Sequence, residues 1–144
     1  MRRERIGYEF VTYIPKQLED GVLYISPEYA VTAHLCCCGC GLEVSLPLAP
    51  AEWKLTFDGR VSLSPSIGRP GWPCESHYWI RDGRVVWAEK LSPATDRAHT
   101  ARAEAARASY YDAQDSTPAA GAPSTKRAGR ARRALRRLLR RGEL

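Results

Sequence analysis

The sequence predicts a mainly β fold: a small antiparallel β-sheet domain built on hairpins, followed by a helical or disordered basic C-terminal tail. Three observations predict it. Short runs rich in β-branched and aromatic residues recur from residue 8 to residue 92. Asp58-Gly59 and Asp82-Gly83 each separate two such alternating runs, and an Asp-Gly pair in that setting is a strong hairpin signal. After Pro93 the composition turns to alanine and arginine, which favour helix.

Taken in order, "YEFVTYIP" and "GVLYIS" read as strands, and "YAVTAHLC" and "LEVSLPL" flank a cysteine cluster. "WKLTFDGRVSLSP" is the first hairpin and "SHYWIRDGRVVWAE" the second. Trp53, Trp79 and Trp87 are expected in the core, with Trp72, on the connecting loop, free to face a substrate. These elements place a β-rich domain over residues 1–92 and an Ala-rich helix over 93–115, with Thr95 as its N-cap. A Pro, Ala and Ser linker follows over 116–125, and a basic tail over 126–144.

The net charge of +6 is unevenly spread. Residues 126–144 hold nine Lys and Arg against one Glu, which leaves 13 basic and 15 acidic residues before them. Basicity is therefore a property of the tail, and the body is not read as a nucleic-acid-binding surface. The tail itself suits contact with nucleic acid or an acidic surface. No run approaches the 18 or so apolar residues of a membrane span, and the opening residues are charged, so the chain reads as cytoplasmic. There is no P-loop or dinucleotide-binding glycine pattern, so nucleotide chemistry has no support.

"HLCCCGCGLE" brings four of the five cysteines and one of the three histidines together within seven positions. In a reducing compartment such a cluster points to metal or catalytic thiols more than to disulfides, although oxidation to Cys74 is chemically open. "PCESH" adds Cys74 and His77 about 34 residues later. The expected ligand pool is Cys36, Cys38, Cys40, Cys74 and His77, and Zn²⁺ suits a mixed thiolate and imidazole set. In a straight strand the even-numbered residues share one face, which makes Cys37 the spare thiol. A site with three protein ligands and a water would be catalytic, with His34 or Ser76 assisting; a site with four would be structural. Ser66 and Ser76 are candidate donors to a developing oxyanion, and Glu75 is a further candidate for proton transfer.

"HLCCCGCG", "VSLSPSIG" and "PCESHYWIRDGRVVW" together resemble a bacterial family of uncharacterised domains. Its pattern runs Cys-x-Cys-Gly-Cys-Gly, then Ser-Pro-Ser, then Pro-Cys-x-Ser-His-Tyr and a final hairpin. The pattern falls on Cys36, Cys38 and Cys40, on Ser64, Pro65 and Ser66, and on Cys74, Ser76 and His77; Cys37 takes a variable position. The resemblance covers residues 8 to 90 and leaves out the long C-terminus. It implies an accessory protein of a ubiquitin-like conjugation pathway, encoded beside the activating and conjugating enzymes, with a peptidase role in trimming or removing the modifier.

The spacing points to a zinc-binding site, and the resemblance implies a hydrolase, a metal-dependent peptidase acting on a ubiquitin-like protein or its conjugates. Its rivals are a non-catalytic zinc-stabilised protein-binding module and an adaptor that reaches nucleic acid or a membrane through the basic tail.

Overall fold

The computed structural model describes residues 1–68, 71–90 and 92–116; the linker beyond 116 and the basic tail expected at 126–144 lie outside the described residues. The chain divides into two units, Met1–Tyr111 and Asp112–Leu144. In the second, Ser116 Oγ donates to the Asp112 carbonyl at 2.7 Å.

The first unit is mainly β. Its strands are β1 Gly7–Phe10, β2 Val22–Ser26, β3 Val31–Leu35, β4 Glu43–Pro47, β5 Lys54–Phe57, β6 Val61–Gly68, β7 His77–Arg81 and β8 Arg84–Trp87, followed by helix α1 Pro93–Asp115. They form two four-stranded sheets, β1-β2-β3-β4 and β5-β6-β7-β8. Among the described residues no helix is long and apolar enough to cross a membrane.

Both Asp-Gly hairpins form. At the β7–β8 turn Asp82 and Gly83 have φ of 50° and 71°, the pair of left-handed conformations that a two-residue turn needs to match strand twist. The β5–β6 turn uses Gly59 at φ 93°. One pairing departs from the antiparallel expectation. β1 runs parallel to β2, because the N-terminal segment first joins the other sheet: Ile6 N donates to Gly83 O and Val85 N to Glu4 O. Only then does the chain cross to β2.

Alternation sets the core. In β4, Val44 and Leu46 are buried between exposed neighbours, and in β7, Tyr78 and Ile80 are buried while His77 and Trp79 are half-buried. With Leu23, Ile25, Leu63 and Ile67 they form one continuous cluster fed by both sheets. This placement corrects two tryptophans. Trp79 lies on the opposite face of β7 from Tyr78 and Ile80, against His77 and under the Arg81 guanidinium. Trp72 packs on the core instead of standing free, as Trp53 and Trp87 also do.

The helix starts at Pro93, and its cap lies earlier than the expected Thr95. Ser92 Oγ accepts from Thr95 N at 3.2 Å, so Ser92 is the cap and Thr95 the third residue of the first turn. Pro93 fits directly after it, because a first-turn residue needs no amide hydrogen.

Candidate active site and thiol centre

β3 ends at Leu35, so Cys36 to Gly41 form a knuckle rather than a straight strand. The Cys36 amide donates to Leu42 O at 2.7 Å and the Gly39 amide to Cys36 O at 3.0 Å. Gly39 and Gly41 adopt φ of 86° and 81°, and these reversals turn successive thiols inward. Cys74 arrives from a second tight turn, closed by Glu75 N to Trp72 O at 2.9 Å with Glu75 at φ 47°.

The result is a four-thiol centre. The sulfurs of Cys36, Cys38, Cys40 and Cys74 all lie within 4.8 Å of one another. Cys36 Sγ is 3.5 Å from Cys38 Sγ and 3.9 Å from Cys74 Sγ. A disulfide would require about 2.05 Å, whereas a tetrahedral centre with metal–sulfur bonds of about 2.3 Å has sulfur–sulfur edges of about 3.8 Å. The four donors therefore fit one metal ion. Cys37, the residue expected to be spare, is fully buried and outside the group.

The thiols differ in how readily they ionise. Burial pushes Cys36 up to about 12 and Cys37 up to about 11. Burial also opposes ionisation of Cys38, but hydrogen bonds from the Ser76 side chain, from the thiol and amide of Cys40 and from Cys36 outweigh it and bring Cys38 down to about 6. The Ser76 hydroxyl also favours the ionised forms of Cys36 and Cys74. It thus faces the sulfurs, and the residue is buried.

His34 is completely buried. Its Nε2 lies 2.8 Å from Tyr78 Oη, which also accepts from the Cys37 amide at 3.5 Å. This bridge ties β3, the knuckle and β7 together. Burial pushes the imidazole down to about 4, which keeps it neutral, and its Nδ1 has no partner among the described residues. Glu75, the other candidate for proton transfer, pairs with Lys90 in solvent.

His77 is placed apart from the thiols. Among the described residues it does not belong to the converging group. Strand alternation turns it to the face opposite Tyr78, and its Nδ1 lies 3.1 Å from Glu89 O. A carbonyl only accepts, so Nδ1 carries the hydrogen, and in the neutral ring the lone pair is on Nε2.

Gly68 pairs with His77 across the β6–β7 ladder. Between Leu63 and Ile67 the register shifts, so that four steps of β6 span two of β7. Ser64, Pro65 and Ser66 form this bulge. Ser66 shares a face of β6 with Gly68 by alternation, and hence lies on the His77 side of the sheet, half-buried. The close approach is strict: a β-carbon at Gly68 would lie 2.7 Å from Ser76 O and 3.1 Å from His77 Cδ2. Gly68→Ala is expected to destabilise the domain by about 1–3 kcal/mol through overpacking. Urea unfolding checks this, and an unchanged midpoint would show that β7 yields freely.

Residue type alone did not mark Ser66 as more than an oxyanion donor. The signal that finds it is the Ser-Pro-Ser bulge paired to the histidine strand.

The model of one family, described as bacterial ubiquitination-like system serine protease (BubE), matches residues 10–88. Searches of curated proteins and of solved structures returned no match. The match spans more than half of the 144 residues and takes in the thiol centre, the Ser-Pro-Ser bulge and the histidine strand together, so the chain belongs to the BubE family.

Proposed function

We propose that the protein is a serine protease acting on the ubiquitin-like protein of its own system or on its conjugates, with Ser66 as nucleophile and His77 as general base. The observation that carries this reading is the His77 Nδ1 contact with Glu89 O. A hydrogen-bond acceptor behind Nδ1 fixes the tautomer in which Nε2 is free to take a proton, the role a carboxylate plays in the serine–histidine–aspartate arrangement. Ser66 Oγ attacks the scissile carbonyl while its proton passes to His77 Nε2. His77 returns that proton to the leaving amine, and water then releases the acyl group from Ser66. Gly68, lacking a side chain, lets the His77 strand approach β6 closely.

In this reading the thiol centre is structural. Cys36, Cys38, Cys40 and Cys74 would hold Zn²⁺, which would supply a four-way cross-link between the knuckle and the Cys74 turn. Four thiolates are the donor set of a closed zinc site, whereas catalytic sites keep one position open. This is why we set aside the sequence-based expectation of a metal-held water as nucleophile, and with it a ligand role for His77. Ser76 steadies the thiolates, and His34, sealed from solvent, braces Tyr78.

Cleavage of the ubiquitin-like precursor, followed by intact mass, tests the reading. A fluorophosphonate should abolish cleavage at one equivalent bound per chain, and a zinc-directed hydroxamate should not. The reverse pattern would support a metal-held nucleophile.

A further inference from the structure

We propose that an arginine-lined cavity at the Asp82-Gly83 end of the domain binds an acidic, extended segment of a partner protein. The cavity measures about 770 Å³, and Arg3, Arg5, Arg60, Arg84, Asp82 and Tyr8 contribute to its lining. Arg3 is committed: its Nε donates to Asp20 Oδ1 at 2.8 Å. The Asp82 carboxylate accepts from the Ser62 hydroxyl at 3.5 Å. Among the described residues, no ion pair involves Arg5, Arg60 or Arg84.

Four arginines face one carboxylate, that of Asp82, in the lining, so the cavity favours a further anion. Arg5 and Arg84 are partners in an antiparallel bridge, and like charges directly opposite each other repel. Arg60, from the β5–β6 turn, adds a third charge to the same cavity. Burying a carboxylate among three guanidinium groups would offset the repulsion, and guanidinium matches carboxylate geometry in pairs of parallel hydrogen bonds.

Features beside the cavity argue for a peptide as the bearer of that carboxylate. The Tyr8 ring meets Phe57 at 5.1 Å and Phe10 at 5.9 Å, both edge to face, and Phe10 meets Phe57 at 5.2 Å. All three rings are exposed, at 42%, 47% and 46% for Tyr8, Phe10 and Phe57. Tyr8 and Phe10 lie on β1, the end strand of its sheet, whose outer edge can pair with an added strand. An extended segment alternating acidic and apolar residues would place carboxylates on the arginines and apolar groups on the rings. Single-stranded nucleic acid fits less well, because edge-to-face rings cover each other's stacking faces.

This surface is separate from the proposed hydrolytic pair. β7 runs from His77 to Arg81, so the Asp82 turn lies about 16 Å away by strand rise. The proposal is therefore read by binding and does not depend on the assignment of Ser66.

The test is fluorescence anisotropy of a labelled peptide of alternating Glu and Leu with the full chain. Three arginines of the basic tail serve as a charge-matched control. The Arg5→Ala, Arg60→Ala, Arg84→Ala variant should bind at least 10-fold more weakly. The Arg132→Ala, Arg133→Ala, Arg136→Ala variant should bind as the wild type does. Arg60→Ala alone, in an exposed turn, should show a smaller loss and guards against misfolding of the triple variant. Equal loss in both triple variants, wild-type binding by the cavity variant, or preference of the cavity for a single-stranded oligonucleotide would each overturn the proposal.

Discussion

Ser66→Ala is expected to lower kcat/KM for the ubiquitin-like substrate by roughly 10⁴-fold or more, with the fold and the metal content unchanged. Removing the nucleophile of a serine–histidine pair abolishes the covalent route and leaves only the residual catalysis of binding and transition-state stabilisation. His77→Ala should lose about as much, and the double variant little more than either, because the two residues act as one unit. Ser66 sits half-buried in a bulge and its hydroxyl is not part of the core, so thermal unfolding should move little. Ser76→Ala should behave differently: it removes a hydroxyl that favours ionisation of Cys36, Cys38 and Cys74 and should weaken metal binding by roughly 10- to 100-fold, as loss of a supporting partner does. If Ser76→Ala removes turnover with metal retained while Ser66→Ala does not, the roles are reversed.

The second large effect belongs to the thiol centre. Cys74→Ser takes away one of four converging sulfurs and should release the metal, uncoupling the knuckle from the β7 approach. A closed zinc site contributes folding free energy directly. The expected loss is about 3 kcal/mol or more, a fall in Tm of over about 12 °C for a domain of this size. Cys37→Ala, at a thiol more deeply buried than Cys74 but outside the group, should cost about 1 kcal/mol and keep one metal per chain. Circular dichroism melts with elemental analysis separate the two; equal losses would remove the distinction between the thiols.

The sequence disclosed the turns more fully than the faces. Asp82-Gly83 announces its hairpin because few residues tolerate two successive positive φ values, and that constraint is local. The thiol set was also legible, though for a partly different reason. Strand alternation selected Cys36, Cys38 and Cys40, whereas glycine reversals in a knuckle bring them together. What depends on distant pairing was hidden. The parallel β1–β2 ladder follows from the prior docking of residues 4–6 on β8, which no local pattern encodes. Trp79 left its expected core position because β7 buries its even-numbered residues. The same alternation sets His77 apart from the thiols and on the side of Ser66, a relation visible only once Gly68 is paired with His77.

The most direct test of the central claim is to locate a fluorophosphonate adduct by tandem mass spectrometry on the intact, metal-loaded chain. A single adduct on Ser66, lost in His77→Ala, is the predicted result; an adduct on Ser64 or Ser76 instead, or none on a protein that cleaves its substrate, would contradict the assignment.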